Sequence, residues 1–410
     1  MERTVVIGGG AAGLMASIHN ARAGRPVILL EKNEKLGKKL FITGKGRCNL
    51  TNACDVSDLF SNIITNPKFL YSSFYGFSNQ DTMAFFESIG LPLKVERGGR
   101  VFPQSDKSSD VIRCLERECR RLNVDIRLNT KVSGLIIQDG AVQGLTLQNG
   151  GKIGAGRVIL ATGGMAYPST GSTGDGYKMA EKAGHTLTEL RPSLTGIRTR
   201  EDTPRQLQGL TLKNVEIKIR PAGKGTVYFR DFGEILFTHY GVSGPLILSA
   251  SSQIGDCLKE ETLILHIDLK PALTEEQLDK RILRDFSEAG GQSLKNAMAK
   301  LLPKSFIPVL LERCRLSDRK ANQLTKEERQ GLSEKMKDFT LTLAGLRSFD
   351  EAIVTKGGVR VHEVDPQTME SKIVKGLYLV GEILDLDALT GGYNLQIAWS
   401  TGFASACYLL

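Results

Sequence analysis

Gly8, Gly10 and Gly13 stand at G-x-G-x-x-G spacing directly after the β-branched run TVVI, residues 4–7. A glycine turn between a strand and a helix brings backbone close to a pyrophosphate. The first glycine permits the tight turn, the second the close approach, and the third the packing of helix on strand. The helix that follows, with Ala11 and Ala12 in its first turn, offers unpaired N–H groups and a positive dipole end to phosphate. Glu31 closes the next apolar run, eighteen residues past Gly13, and is placed to accept hydrogen bonds from a ribose diol. Lys32 follows it. The bare glycine pattern is weak evidence. In the order strand, helix, strand, acid it reads as a complete nucleotide-binding fingerprint, against the plainer reading of a glycine-rich turn that binds nothing.

Four further stretches carry polar chemistry. Residues 32–52 (KNEKLGKKLFITGKGRCNLTN) are rich in Gly and Lys without a clean period. A loop of that length after a nucleotide fingerprint reads as cofactor-facing. Lys38, Lys39, Lys45 and Arg47 suit phosphate or an anionic ring, and Asn49 and Asn52 suit ring or ribityl polar groups. The run RVILA ends in Thr162-Gly163-Gly164, and YPSTGSTGDGY follows at 167–177. This second strand-then-glycine element lacks the third glycine and the strand-terminal acid, so it reads as a return to the same sheet near the same pyrophosphate. The run GLYLV is followed by Gly381-Glu382, then Asp385, Asp387 and GGYNLQ at 391–396. A strand ending in Gly-acid aims a carboxylate, and a glycine-started helix aims its dipole at developing negative charge. His239, in FTHYGVSGP, is the one candidate acid or base, because imidazole titrates near neutral pH. A lone histidine is more often structural. The seven cysteines show no C-x-x-C and no metal spacing, which gives no metal site and no redox pair.

The elements that position these residues follow from periodicity. Helices are expected at 11–23, 57–90 and 106–122. Strands are expected at 26–30 and 124–128, the latter leading to Val132. Asp139-Gly140 and Asn149-Gly150 separate alternating runs and signal a small meander. Residues 194–269 alternate and read as mostly strands, with turns at 221–225 and a helix starting at Pro245. Thr274-x-x-Gln277 and Thr325-x-x-Glu328 are capping boxes, so 274–350 reads as helical. Both chain ends then build one nucleotide-binding domain, 1–190 with 356–410. Residues 191–355 form an insert, β-rich to about 273 and helical beyond it. The fold class is α/β, and 410 residues allow two or three domains. No apolar run would span a membrane and no signal peptide is apparent, so a cytoplasmic protein is expected. The net charge of +9 suits an anionic cofactor or substrate. Lys and Arg are dispersed and aromatics are 6% of residues, so nucleic acid is the minority partner.

The motifs GKGRCNLTN, ATGG with YPSTGSTGDGY, FTHYGVSGP, and GLYLVGEILDLDALTGGYNLQIAWSTG together resemble the BaiN-like flavoproteins, also called the aminoacetone-oxidase-like or YhiN-type family. The likeness covers nearly the whole chain. More distantly the design is similar to the fumarate-reductase class. The resemblance implies a Rossmann-like FAD-binding domain built from both chain ends, with non-covalent FAD. It implies that Gly8, Gly10 and Gly13 hold the pyrophosphate and Glu31 the adenosine ribose. Lys38, Gly46, Arg47, Cys48 and Asn49 would lie along the flavin side. Gly381 and Glu382 would meet ribityl and phosphate, and Gly392, Tyr393, Asn394 and Leu395 would lie against the ring. Lys32, Val132, Thr162, Gly163 and Gly164 complete the cofactor-binding candidates. The implied activity is a FAD-dependent oxidoreductase acting on a small molecule by hydride transfer through flavin N5. NAD(P)H would serve as a transient donor, or O2 as acceptor, with the insert closing over the ring. No second dinucleotide unit is present to hold NAD(P)H. A flavin-binding redox regulator or scaffold, and an RNA-modifying flavoenzyme, are the alternatives. Substrate, redox partner and oligomeric state stay open.

Overall fold

Short runs of Val, Ile and Leu with no polar alternation build a sheet buried on both faces. The computed structural model describes residues 3–223 and 225–407. Five parallel strands, β1 (Thr4–Ile7), β2 (Val27–Leu30), β3 (Asp125–Arg127), β4 (Arg157–Leu160) and β5 (Leu377–Leu379), lie in the order β5-β4-β1-β2-β3. β1 is central, pairing Thr4 with Val27 and with Arg157. Helix α1 (Ala11–Arg22) follows β1 with eight of its twelve residues buried. Helix α2 (Lys38–Ile42) is short, and α3 (Tyr393–Ala404) closes the unit. α1 and α3 approach closely: a Cβ on Gly402 would stand 2.7 Å from the Ala12 carbonyl oxygen.

The chain separates into two compact units, residues 1–193 with 348–410, and residues 194–347. The first holds the parallel sheet and an antiparallel meander of Val132–Gln138, Ala141–Leu147 and Lys152–Gly154. The meander turns at Asp139 and Gly140, where φ is +51° and +71°, as a two-residue hairpin loop of this twist requires. Arg191–Ser193 and Val354–Lys356, which flank the excursion to the second unit, pair antiparallel.

The second unit is a closed barrel of six strands. In order they are Ile197–Thr199, Gly241–Ser243, Phe229–Thr238, Thr211–Pro221, Leu263–Asp268 and Phe339–Leu346, every neighbour antiparallel. A helix begins at Pro245, and both capping boxes form, with Thr274 and Thr325 each accepting from the backbone three residues on. Phe237, Phe306 and Phe339 pack in its core.

Two expectations need correction. Residues 339–346 form a strand, not helix: Phe339, Leu341 and Leu343 point inward with threonines between them, and the barrel needs this strand to close. Residues 32–52 are not featureless, because Leu40 is buried and anchors α2. The last helix ends at Ala404. The expected turn at 221–225 includes Lys224, which, with residues 408–410, lies outside the described residues. No helix among the described residues is long and apolar enough to cross a membrane.

Candidate functional site

The glycine turn leaves β1 under tight steric control. Gly8 has φ +107°, and a Cβ there would lie 2.5 Å from the Ala161 carbonyl oxygen. A Cβ on Gly13 would lie 1.8 Å from the Gly8 carbonyl oxygen. Gly10 differs: a Cβ on it would meet nothing within 4 Å, so the turn borders open space there. Gly10 is the N-cap of α1 and no side chain caps that helix. The N–H groups of Ala11, Ala12 and Gly13 therefore have no intrahelical acceptors and face that space with the dipole's positive end.

Glu31 is buried at the end of β2 and ties this turn together. One carboxylate oxygen accepts from Gly9 N–H at 2.7 Å, the other from the Asn33 N–H and side-chain amide, each at 2.8 Å. Asn33 also donates to the Thr170 carbonyl. Lys32 Nζ donates to Thr173 Oγ1 at 2.6 Å and to Asp175 at 2.7 Å. The polar loop 167–177 is thereby fastened to the residues after β2. Burial works against ionising Asp175, but Lys32 outweighs it and holds the carboxyl below its ordinary range. Val132 is buried at the start of the meander.

Thr162, Gly163 and Gly164 leave β4 beside Glu382. A Cβ on Gly164 would stand 2.4 Å from Thr355 Oγ1 and 3.1 Å from Glu382 Oε1. Thr355 Oγ1 accepts from the Met165 and Ala166 N–H groups, and Thr355 N–H donates to Glu382 at 2.8 Å. Lys39 Nζ donates to both Glu382 oxygens, at 2.9 and 2.6 Å. Gly381 (φ +74°) packs on the first turn of α1, where its Cβ would be 2.8 Å from Ala12 Cβ.

The segment after α2 is strained. Lys45 and Cys48 hold φ of +57° and +60°, and Gly44 and Gly46 are also left-handed. Such non-glycine conformations persist only where surroundings over-determine them and cluster at functional sites. Burial pushes the Cys48 thiol up to about 12, against a hydrogen bond with Thr43, so Cys48 packs rather than reacts. Arg47 donates to Asp106 at 2.8 Å and to Glu96 and lies 4.1 Å over the Phe102 ring. Lys38 pairs with Glu34. Both cations are thus engaged by protein carboxylates. Asn52 donates to the Gly98 and Gly391 carbonyls, holding the loop that starts α3.

That loop is rigid. Gly392 (φ +100°) lies so close to Thr51 that a Cβ would be 2.5 Å from its backbone carbonyl. Asn394 accepts from Ala388 N–H at 3.0 Å and donates to the Ala388 carbonyl at 2.8 Å. Its side chain shapes the loop, leaving backbone N–H groups of Tyr393, Asn394 and Leu395 as the open donors of an α3 with no side-chain cap. Burial raises the Tyr393 hydroxyl to about 12. Two buried oxygens, Asn49 Oδ1 and Thr162 Oγ1, have no hydrogen-bond partner among the described residues. Orphaned acceptors of this kind ask for a ligand or water. With the open space at Gly10 and two uncapped helix starts, they fit a dinucleotide-sized cofactor with a diphosphate.

His239 belongs to the other unit. It is exposed in the turn between Phe229–Thr238 and Gly241–Ser243, edge-on to Tyr240 at 5.0 Å. Arg347 lies 4.3 Å over the opposite aromatic partner, Tyr240. Sequence reasoning named the glycines and Glu31 but not Asn33, Thr355 or the pairing of Lys39 with Glu382. Lys39 and Glu382 are 343 positions apart, and no local pattern links them. All seven cysteines are free. Among the described residues no cluster of His, Cys, Asp and Glu could hold a metal ion.

Comparison with known proteins gives the chain's family. The family described as HI0933-like protein Rossmann domain matches residues 2–408. A 3-dehydro-bile acid delta(4,6)-reductase of Clostridium scindens is 36% identical over 409 residues, covering 98% of each chain. A ribosomal RNA dihydrouridine synthase of Escherichia coli is 33% identical, covering 99% of this chain and 98% of its own. Among solved structures, a 3-ketosteroid-delta4-(5alpha)-dehydrogenase from Rhodococcus jostii has the same fold at TM-score 0.53 and 16% identity, covering 99% and 97% of the two chains. With a parallel sheet built from both ends of the chain and a family match along residues 2–408, the chain belongs to the HI0933-like family and is a FAD-dependent oxidoreductase.

Proposed function

We propose that the protein reduces a carbon–carbon double bond conjugated to a carbonyl in a small molecule, with FAD as the non-covalent carrier and NAD(P)H as donor. The observation that carries this reading is the full-length, 36% identical relative named as a delta(4,6)-reductase of a 3-dehydro-bile acid. In that name the double bonds are conjugated to a 3-oxo group. FAD, when bound, supplies two-electron hydride chemistry at N5. The chain's residues do the rest. Gly8, Gly10 and Gly13 with the α1 N-terminus bind the diphosphate, and Glu31 the ribose. Asn49 and Thr162 are acceptors still in need of a donor. The α3 N-terminus, fixed by Asn394 and Gly392, would stabilise negative charge on the ring. A general acid supplies the proton to the α-carbon. Hydride on one carbon and a proton on the other complete the reduction, leaving NAD(P)+.

A second reading has one observation in its favour. The 33% identical relative is named for dihydrouridine formation in ribosomal RNA, which also saturates a double bond conjugated to a carbonyl. It shares the chemistry and differs in the carrier of the ring.

The test is spectral. The purified protein should show flavin bands near about 370 and 450 nm. NADH and NADPH are then added separately without oxygen. Bleaching by one of them, followed by reoxidation on adding a 3-oxo-Δ4 steroid acid, supports the first reading. Reoxidation only by uridine-containing RNA supports the second. A flavin that neither nicotinamide reduces points to an oxidase reduced by its own substrate or to a redox regulator. A colourless protein that takes up no FAD overturns both.

A further inference from the structure

Glu382 is a carboxylate where a diphosphate would be expected to repel one. The residue before it, Gly381, packs against Ala12 in the first turn of α1, whose open N–H groups are the phosphate donors. Its own oxygens border Gly163 and Gly164, with a Cβ on either glycine falling 4.0 and 3.1 Å away. Lys39 answers that charge directly. Its ammonium donates to both oxygens, and the two side chains are each only 21% exposed. The helix carrying Lys39 is tethered to the same turn: Gly37 N–H donates to the Gly9 carbonyl at 2.9 Å, and Leu36 fills the space where a Cβ on Gly9 would sit. Cation and anion are therefore both fastened to the glycine turn, from opposite ends of the sequence.

We propose that Lys39 is the counter-ion that keeps Glu382 compatible with the FAD diphosphate, a positioning residue that binds the carboxylate rather than the phosphate. This rests on the FAD reading above. In this arrangement Glu382 has two jobs. Its Oε1 accepts from Thr355 N–H, fixing the strand Val354–Lys356 beside Thr162–Gly164, and its Oε2, which among the described residues accepts only from Lys39, keeps one lone pair for a cofactor hydroxyl. Lys39 offsets its charge while both are done. Removing one member of a partly buried pair leaves the other uncompensated, which is the costly change, whereas removing both is mild.

The experiment is a double-mutant cycle read by FAD affinity, from flavin fluorescence on titrating the deflavinated protein. Lys39→Met should weaken FAD binding by about tenfold or more, because an unpaired carboxylate then faces the diphosphate. Glu382→Gln keeps an acceptor for Thr355 and leaves Lys39 facing the diphosphate rather than leaving a bare anion, but it gives up part of the contact to the cofactor hydroxyl; it should weaken binding by about fivefold at most, less than Lys39→Met does. The double variant should return to within about threefold of Glu382→Gln, a coupling that independent sites do not show. In Lys39→Met alone, affinity should improve from about 50 to 500 mM salt as the repulsion is screened. If Lys39 instead contacts phosphate, Glu382→Gln will not rescue Lys39→Met, and salt will weaken the wild type while leaving the variant flat. That result overturns the inference. A wild-type protein that binds no FAD overturns the cofactor reading itself. Should Lys39→Met fail to fold, Lys39→Gln, read alone and combined with Glu382→Gln, runs the same cycle: weakened binding in the single variant that Glu382→Gln does not relieve overturns the inference.

Discussion

Glu31 accepts the Gly9 backbone N–H at 2.7 Å, so the acid expected to meet a ribose also holds the glycine turn. With its other oxygen on Asn33, it links β2, the turn and loop 167–177. The oxygen that accepts from Gly9 has a further lone pair, while the one on Asn33 already accepts twice, so ribose binding and turn support are compatible through the first. Glu31→Gln keeps one acceptor but turns an amide donor toward other donors. It should lower FAD affinity by about tenfold or more and destabilise the FAD-free protein by about 1–2 kcal/mol. Fluorescence titration and thermal melts without FAD measure the two separately. Loss of affinity with an unchanged melt would restrict Glu31 to the cofactor.

Gly10 and Gly13 should separate binding from folding. A Cβ on Gly13 meets the Gly8 carbonyl oxygen at 1.8 Å, and backbone cannot move away cheaply. Gly13→Ala should cost about 2–4 kcal/mol of stability. Gly10 has φ −85°, open to any residue, and no protein atom within 4 Å of its Cβ position. Gly10→Ala should leave the FAD-free melt within about 1 kcal/mol, while FAD affinity falls because the methyl fills the space left for phosphate. Equal stability losses in both variants would show that the space is not a ligand's.

The sequence made the parallel sheet and its glycine turn legible because their signals are local: a β-branched run, a turn and a helix within thirty residues. The meander was legible for the same reason, through Asp139-Gly140 and Asn149-Gly150. The strand Phe339–Leu346 was not read, although FTLTLAGL alternates, because the capping box at Thr325 and the helix Lys326–Lys337 precede it directly. Its strand character depends on pairing with Ile197–Thr199 and Leu263–Asp268, which is tertiary information. At the site, glycine spacing named the turn. It did not reveal that Arg47 is spent on Glu96 and Asp106, or that Asn394 shapes its own loop. Those partners are set by chain segments far apart in sequence.

His239 is the acid–base candidate that the sequence singles out, and its role is easily isolated. It lies on the unit of residues 194–347, exposed in its turn, so replacing it should not disturb the parallel sheet. His239→Ala should keep full FAD content and normal bleaching by NAD(P)H. If His239 delivers the proton, reoxidation of reduced flavin by substrate should slow by about a hundredfold. Stopped-flow measurement of the two half-reactions distinguishes this from a general loss of fold. An unchanged reoxidation rate would remove His239 from the mechanism.

His19 should make the fold acid-sensitive. Its ring is caged by Phe77, Phe85 and Phe403, with centroids at 5.6, 5.4 and 4.8 Å, and Nε2 has no hydrogen-bond partner among the described residues. Burial, with Arg22 nearby, lowers its pKa to about 4, and Glu118 only partly opposes this. The unfolded chain takes up a proton near pH 6.5 and the native state only near 4. Between those values the unfolded state binds more protons, so stability is full above pH 6.5 and falls as pH drops toward 4. The loss attributable to this one group is at most about 3 kcal/mol. His19→Leu fills the cage with no titrating group. Its melting temperature should therefore change less than wild type's between pH 7 and pH 4.5, while FAD affinity stays the same at pH 7. Parallel curves for the two proteins would assign the acid sensitivity to carboxylates instead, such as Glu118, which its pairing with Arg121 and Arg22 holds at about 2 against the cost of burial.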